Sequence, residues 1–232
     1  PVSSPLSFIE QRKRQVAKDS KKRLFETARH LFAASGYYGT STRDLADQAS
    51  VNISAITYYF DSKLGLYRAV LSDIATRVKE ELSDKTTHAK KLLSDENATA
   101  DQARALLFEL ISELCILLCS KRLPNEDVVI FLHEYSVPGE AFDTLYRELI
   151  SPIYEIYADL FIKATGNGLN REDATLCTFQ LFAQMFVFKA RKQTILQHLN
   201  WKEYGDREVK KIITMILEHT GAVLDLYKNK QR

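Results

Sequence analysis

Apolar residues recur at steps of three and four along most of this sequence, which is the spacing that gives an α-helix one buried face. The first such stripe follows Asp19 and consists of Leu24, Ala28, Leu31 and Phe32. Gly36 predicts the end of this helix, because glycine readily takes the positive φ of a helix C-terminus. The period-two alternation of a β-strand does not occur in the sequence, so we predict an all-α fold.

Two short helices are predicted next. Ser41 and Asp44 have the spacing of a capping box, in which each side chain bonds the other's backbone N–H, and this pair predicts a helix start at Ser41. Residues 50–52 interrupt the pattern, and a second short helix is predicted over about 54–60. A capped helix, a tight turn and a second short helix over 41–60 are typical of a helix-turn-helix, whose second helix enters the major groove of DNA.

Longer helices are predicted for the rest of the chain. Asp61 or Ser62 can cap a fourth helix, and the polar stretch 83–100 is predicted to be a hinge. Beyond it, helices are predicted at about 101–120, 125–136, 140–165, 171–199 and 206–229.

The helix around 176–190 is apolar on nearly all sides, so it must be covered on more than one side. A second subunit is the cover that we favour, because two-fold homodimers are the commonest oligomers. This predicts a homodimer through the helices at about 171–199 and 206–229. A central position in the core of a single subunit is the alternative.

Positive charge is concentrated at the N-terminal end. Residues 1–63 contain ten Lys or Arg and six Asp or Glu, a net charge of +4, whereas the whole chain carries +2. Such a basic end suits a polyanionic partner, although a solvated arm explains the charge equally well.

Other classes of function find little support in the sequence. No apolar run approaches the ~18 residues of a membrane span, and no secretory signal is visible, so we expect no membrane partner. Three cysteines, an odd number, fit a reducing cytoplasm. Cys115 and Cys119 lie one helical turn apart, but no histidine or acidic cluster completes a metal site, so buried and unreactive thiols are expected. We find no catalytic motif and expect no enzyme activity, cofactor or metal.

About 45 residues around the helix-turn-helix resemble the TetR family of repressors. The similarity rests on Gly36, then Thr40-Ser41-Thr42-Arg43-Asp44-Leu45-Ala46, then Ala49-Ser50-Val51-Asn52, then Tyr58-Tyr59-Phe60-Asp61-Ser62-Lys63. Two positions depart from the family pattern, since Ser50 stands where the family usually has glycine and Thr57 where it favours tyrosine. If position 50 needs a positive φ, serine costs about 1 kcal/mol there. A phosphate contact from Thr57 would reach less far, and Tyr58 can compensate.

The C-terminal part resembles CecR-type regulators more loosely, over about residues 105–228. The similarity rests on His133-Glu134 ahead of Pro138, Leu149-Ile150-Ser151-Pro152, Phe188-Lys189-Ala190-Arg191, Ile195-Leu196 and Trp201. It implies an effector-binding and dimerisation domain, in regulators whose targets are often transport or efflux genes. We accordingly divide the chain into a flexible basic arm (1–18), a helix-turn-helix DNA-binding domain (19–64) and a helical effector-binding and dimerisation domain (65–232).

Ten residues are candidates for DNA contact: Ser41, Thr42, Arg43, Ile53, Ser54, Ala55, Thr57, Tyr58, Tyr59 and Lys63. Thr42 and Arg43 begin the helix that crosses the DNA backbone, where a hydroxyl and a guanidinium can bind phosphates. Positions 53–57 can offer hydroxyl and methyl contacts to base edges, and the two tyrosines and Lys63 can reach phosphates. We expect Ile56 and Phe60 in the core and both tyrosines on the surface. The second helix has no Arg or Lys, so much of the affinity is expected to be electrostatic and salt-sensitive.

A small-molecule pocket is expected between the helices of the C-terminal part. The candidates are polar groups in otherwise apolar stretches: His133, Glu134, Tyr135, Tyr146, Tyr154, Gln180 and Gln184. Taken alone, each of them is more often an ordinary buried or interface residue than a ligand contact.

Together these features predict a dimeric repressor that binds a palindromic operator in double-stranded DNA and is released by a small-molecule effector. The half-sites would lie about 10 base pairs, or a multiple of that, apart. An all-helical interaction or architectural protein, in which residues 41–60 serve only for packing, is the main alternative. A helical enzyme comes third, because it would need a reactive cluster that the sequence does not show.

Overall fold

A computed structural model describes residues 5–229, which form helices joined by short connections. The helices are α1 (Pro5–Gly39), α2 (Thr42–Gln48), α3 (Ser54–Phe60), α4 (Lys63–Glu81), α5 (Ser83–Ser94), α6 (Ala100–Cys119), α7 (Asn125–Ser136), α8 (Phe142–Leu145), α9 (Ser151–Ala164), α10 (Arg171–Ala190), α11 (Lys192–Leu199) and α12 (Asp206–Asn229). A π-helical turn, Tyr146–Ile150, precedes α9. No strand occurs between residues 5 and 229, and the all-α fold class is confirmed.

The chain divides by contact into two compact units. The head unit contains the chain up to Ala75 together with Pro124–Leu145. The body unit contains Thr76–Leu123 and the chain from Tyr146 onward. The head unit therefore includes α7 and α8, which lie within the predicted effector-binding domain (65–232). The functional boundaries at 18/19 and 64/65 stay predictions.

The head unit is built on the apolar stripe of α1. Its buried core contains Leu24, Ala28, Phe32, Leu45, Ala49, Ile56, Leu66, Tyr67, Val70, Leu71, Ile74, Ile130 and Ala141. Gly36 has φ 70° and ψ 176°, a conformation that is essentially restricted to glycine, and it breaks the regular helix as the sequence predicts. One further helical turn then leads to α2.

Buried charges tie α7 to the rest of the head unit. The Arg29 guanidinium of α1, whose side chain is 4% exposed, pairs with Asp73 of α4 and with Asp127 of α7. The buried carboxylate of Glu134, also on α7, accepts a hydrogen bond from the Tyr67 hydroxyl at 2.9 Å. Residues 98 positions apart in sequence are thus joined through buried polar contacts.

The body unit has α9 at its centre. α9 packs against both α6 and α10, and α12 packs against α6. The large buried side chains of α9 include Tyr157, Leu160 and Phe161. Among residues 5–229, none of the helices is both long enough and apolar enough to cross a membrane.

The predicted flexible arm differs from the structure at residues 5–18, which are helical and belong to α1. The described side chains between residues 10 and 19 are almost all exposed, so this part of the helix has no apolar stripe by which the sequence could reveal it. Residues 1–4 of that arm, and residues 230–232 of the last predicted domain, lie outside the described residues.

The predicted hinge over 83–100 was wrong for most of its length. Residues 83–94 form α5, which packs on α6 and α9 through the fully buried Ala89. One small buried residue gave too weak an apolar signal in a polar stretch. Two predicted long helices are also interrupted, since a π-helical turn divides 140–165 and Arg191 separates α10 from α11.

Candidate nucleic-acid interface and effector residues

The start of α2 is fixed by the predicted capping box. The Ser41 Oγ accepts from the Asp44 backbone N–H at 3.0 Å, and the Asp44 carboxylate accepts from the Ser41 backbone N–H at 3.3 Å. On the inner side of α2, Leu45 and Ala46 are buried. Thr42 and Arg43 are exposed in the first turn, beside the positive end of the helix.

The turn between α2 and α3 is held by local hydrogen bonds. Ser50 has φ 52°, so the position where the family pattern has glycine does require a positive φ. The Asn52 side-chain oxygen accepts from the Ser54 backbone N–H at 2.9 Å and from the Ser54 hydroxyl at 2.8 Å. The entry to α3 is therefore rigid, and the Ser54 hydroxyl already has an acceptor. From the sequence alone, Asn52 is visible only as part of the break between the two helices.

The outer face of α3 carries most of the predicted base-reading residues. Ile53, Ser54, Thr57 and Tyr58 are exposed, with Tyr58 at 80%, whereas Ala55 is half-buried. Ile56 is buried, as predicted, and Phe60 packs against the core with part of its ring accessible. Tyr59 differs from the prediction, because it is half-buried and also packs against the core.

Lys63 serves the architecture of the head unit. Its Nζ donates to the carbonyl oxygens of Tyr37 at 2.9 Å and Thr40 at 3.0 Å and lies 4.1 Å from the centre of the Tyr37 ring. An ammonium group has three N–H donors, so one remains for a phosphate. Ser62, one of the two caps proposed for the fourth helix, accepts from the Gly65 backbone N–H at 3.0 Å.

Two contributors to the head unit were missed at the level of sequence. The Arg23 Nε donates to the carbonyl of Ala49 at 3.3 Å, which places a cation at the end of α2. The Thr40 hydroxyl donates to the Gly36 carbonyl at 2.8 Å and so holds the chain after the glycine break. This contact joins residues 26 positions apart, so only the folded chain shows where Arg23 reaches.

The predicted effector residues fall into both units. His133, Glu134 and Tyr135 belong to the head unit, and Tyr146, Tyr154, Gln180 and Gln184 to the body unit. The Glu134 oxygens already accept from Tyr67 and from the backbone N–H of Gly139, both at 2.9 Å. Burial, followed by this carboxylate, raises the pKa of Tyr67. The Tyr135 ring stacks on Phe131 with centroids 5.6 Å apart, and His133 is exposed.

In the body unit the candidates differ in accessibility. Tyr154 is buried, with its ring centroid 4.3 Å from that of Phe182. Tyr146 and Gln180 are exposed, and Gln184 is half-buried. Tyr157, one turn along α9 from Tyr154, was missed, although a tyrosine in so apolar a stretch is a visible signal.

Cys115 and Cys177 are buried and Cys119 is half-buried. Burial raises the pKa of Cys115 to about 12 and also raises the pKa of Cys119 and of Cys177. All three thiols are therefore protonated at neutral pH and are poor nucleophiles.

Exposed apolar side chains form stripes on two helices of the body unit. On α10 they are Leu176, Phe179 and Val187, and on α12 they are Met215 and Leu226. Their spacings of 3, 8 and 11 residues are close to whole helical turns, so each set lies on one face of its helix.

Two family descriptions match this chain. Residues 24–70 match the bacterial regulatory proteins of the tetR family, and residues 103–225 match the C-terminal domain of the HTH-type transcriptional dual regulator CecR. The CecR regulator of Shigella flexneri is 30% identical over 209 residues, which cover 88% of this chain and 91% of that protein.

Solved structures of similar fold include two that hold ligands. AibR in complex with isovaleryl coenzyme A and operator DNA has a TM-score of 0.59 and 18% identity, with coverage of 85% of this chain and 96% of AibR. FadR from Bacillus subtilis in complex with stearoyl-CoA has a TM-score of 0.58 and 16% identity, with coverage of 86% and 96%. At these identities the likeness concerns the fold.

Proposed function

Because the chain belongs to the TetR family of DNA-binding transcription regulators, which are not enzymes, we propose that it is a repressor released from a palindromic operator by a small molecule. The observation that carries this proposal is the helix-turn-helix of the head unit. Its internal hydrogen bonds fix α2 and α3, while the side chains of the outer face stay exposed. Rigid positioning of exposed polar groups is what a DNA-reading surface requires.

We assign the DNA contacts by position on this surface. Ser41, Thr42 and Arg43 at the start of α2 bind phosphates, and so do Tyr58, Tyr59 and the third N–H of Lys63. Base edges are read by Ile53, Ser54, Ala55 and Thr57 through methyl and hydroxyl contacts. These contacts are individually weak, so the electrostatic contribution to affinity is large.

A palindrome requires two heads, and the apolar stripes of α10 and α12 support a homodimer. Leu176 and Leu226 are each 55% exposed in the single chain, which is unfavourable for large apolar side chains in water. Burying the two stripes against their copies in a second subunit removes this exposure. We therefore propose dimerisation through 171–199 and 206–229.

The effector is proposed to bind in the body unit, near the buried Tyr154. The structures of AibR and FadR, which share the fold, contain bound acyl-CoA molecules. These bound ligands support a small-molecule effector for the present protein. The similar Shigella flexneri protein is a dual regulator, so activation is the alternative outcome at some promoters. We propose transport or efflux genes as targets and the cytoplasm as the site of action.

The test is selection of operator DNA from a fragmented genome with the purified full-length protein at about 150 mM salt. A shared palindrome upstream of a few genes is the expected result. The variant Tyr58→Phe, which removes one exposed hydroxyl from α3, should weaken binding to that palindrome. Tyr38→Phe is the matched control, because Tyr38 is 76% exposed but lies outside the helix-turn-helix.

Two results would contradict the proposed repressor function. Retention that is uniform across sequences and lost with modest salt would leave only non-specific polyanion binding. Equal retention of DNA fragments by wild type and by the combined variant Thr42→Ala/Arg43→Ala/Tyr58→Phe would favour the architectural protein, in which this segment only packs.

A further inference from the structure

The hydroxyl of Tyr157 is an anomaly in the core of the body unit. Tyr157 is 0% exposed, and its hydroxyl has no hydrogen-bond partner. Among the described residues of the body unit, the Tyr157 hydroxyl oxygen is the one buried side-chain polar atom without a hydrogen-bond partner. Other buried hydroxyls are paired, since Thr165 donates to the Phe161 carbonyl and Thr178 to that of Ala174, both at 2.9 Å.

An unpaired hydroxyl is costly to bury, and phenylalanine would fill the same space without that cost. Phe161 on the same helix and Phe182 across from it show that the surrounding core readily takes phenylalanine. Local departures from the cheapest packing are expected where a protein performs its function. The unused donor and acceptor of Tyr157 therefore point to a partner that is not part of the chain.

The surroundings of Tyr157 specify the chemistry of that partner. Its ring meets the Phe182 ring edge-on at 4.9 Å, and Tyr154 lies 4.3 Å from the same phenylalanine and 4.8 Å from Phe179. Burial, followed by the neighbouring Cys115, raises the pKa of Tyr157, and no charged side chain of the described residues contributes to this shift. An aromatic, uncharged environment favours a neutral ligand, because a buried ion without a counter-ion is strongly disfavoured.

We propose that Tyr157 is the polar anchor of the effector site, and that its hydroxyl donates a hydrogen bond to a neutral, mainly apolar molecule with one acceptor oxygen. This inference rests on the proposed effector response. The ligand lies where α9 meets α6 and α10, so it favours a body-unit conformation in which these helices are further apart. Such a preference for one conformation is what allows an effector to act on DNA binding.

The experiment compares acetophenone with α-methylstyrene, which has the same shape but a methylene group in place of the carbonyl oxygen. Binding of each to the full-length protein is measured by calorimetry. Wild type should bind acetophenone about tenfold more tightly than α-methylstyrene, which corresponds to one hydrogen bond. In Tyr157→Phe this preference should fall to about twofold or less, while α-methylstyrene binds as before. Benzoate, which is charged, should bind far more weakly than acetophenone.

The control variant is Tyr204→Phe. The Tyr204 hydroxyl donates to the Phe188 carbonyl at 2.9 Å, so removing it should lower the melting temperature of the ligand-free protein. Tyr157→Phe should melt at or above the wild-type temperature, because it loses no hydrogen bond. A drop like that of Tyr204→Phe would show that the Tyr157 hydroxyl is already paired in the free protein, and would overturn the proposal.

Three binding results would also overturn it: no binding of acetophenone to wild type, an unchanged preference in Tyr157→Phe, or benzoate binding as tight as acetophenone binding. Operator selection by ligand-free Tyr157→Phe separates this inference from the proposed function. If wild type selects the palindrome but shows no preference for acetophenone over α-methylstyrene, only the assignment of Tyr157 fails. If wild type selects no palindrome, the proposed repressor function is contradicted, whatever the ligand-binding data show.

Discussion

At the level of single residues, Ser50 holds an unfavourable backbone conformation in the turn of the helix-turn-helix. Its φ of 52° is one that glycine adopts without the Cβ penalty. Ser50→Gly should therefore raise the free energy of unfolding by up to about 1 kcal/mol, measured by urea denaturation. Ser35→Gly, at an exposed helical position of the same unit, should instead lower it by roughly 0.5 kcal/mol. Equal losses in both variants would show that the turn gains nothing from glycine.

Arg29 is the residue on which the buried ion pairs of the head unit depend. Arg29→Met leaves the Asp127 side chain, 1% exposed, without its cation, and should lower the free energy of unfolding by about 3–5 kcal/mol. The measurement is thermal or denaturant unfolding. Arg171→Met is the control, because its ion pairs with Glu155 and Asp159 are exposed and should be worth at most about 1 kcal/mol. A loss as small as that of the control would contradict a structural role for this network.

At the level of elements, local signals predicted the helices well. Capping residues and breakers act within a few positions, so Ser41, Asp44 and Gly36 predicted the structure around them correctly. α5 was missed because its packing depends on α6 and α9, which lie elsewhere in the sequence.

The division of the candidate sites was harder to predict than the helices. The position of α7 in the head unit results from contacts such as Arg29–Asp127, and no local pattern reports a contact across 98 residues. For the same reason, neither the hydrogen bonds of Lys63 to the end of α1 nor the unpaired state of the Tyr157 hydroxyl could be read from sequence.

The capping box of α2 offers a test at this scale. Ser41→Ala should lower stability by about 1 kcal/mol and also weaken operator binding, because it loosens the start of the helix that crosses the DNA backbone. Thr99→Ala removes the same kind of capping box from α6 in the body unit. It should lower stability by a similar amount and leave operator affinity unchanged. Weakened DNA binding by both variants would mean that global stability, rather than the start of α2, controls affinity.

At the level of the whole molecule, the apolar stripe of α10 predicts the oligomeric state. Phe179→Glu places a charge where we propose that two subunits meet, so it should convert the dimer to a monomer in analytical ultracentrifugation. Val129→Glu is the matched control, because Val129 is an apolar residue of the head unit with 40% exposure. A dimer that survives Phe179→Glu would place the interface elsewhere.

Because α3 has no Arg or Lys to read bases, operator affinity should depend largely on phosphate contacts and fall as the salt concentration rises. The logarithm of the association constant should fall linearly with the logarithm of the salt concentration. Arg43→Ala should reduce this slope by about two, because the proposed dimer loses one phosphate contact in each subunit. Loss of affinity with an unchanged slope would indicate that Arg43 reads a base instead.

The composition of the head unit also sets the order in which this protein can fold during synthesis. Its last segment, Pro124–Leu145, is made only after α5 and α6 of the body unit. Translation at about 5–20 residues per second takes roughly 4–14 s to proceed from Ala75 to Leu145. For most of that interval, until Asp127 has been made, Arg29 lacks this buried partner. The DNA-reading end, although encoded first, is completed only when more than half of the chain has left the ribosome, so nascent chains lack a finished head.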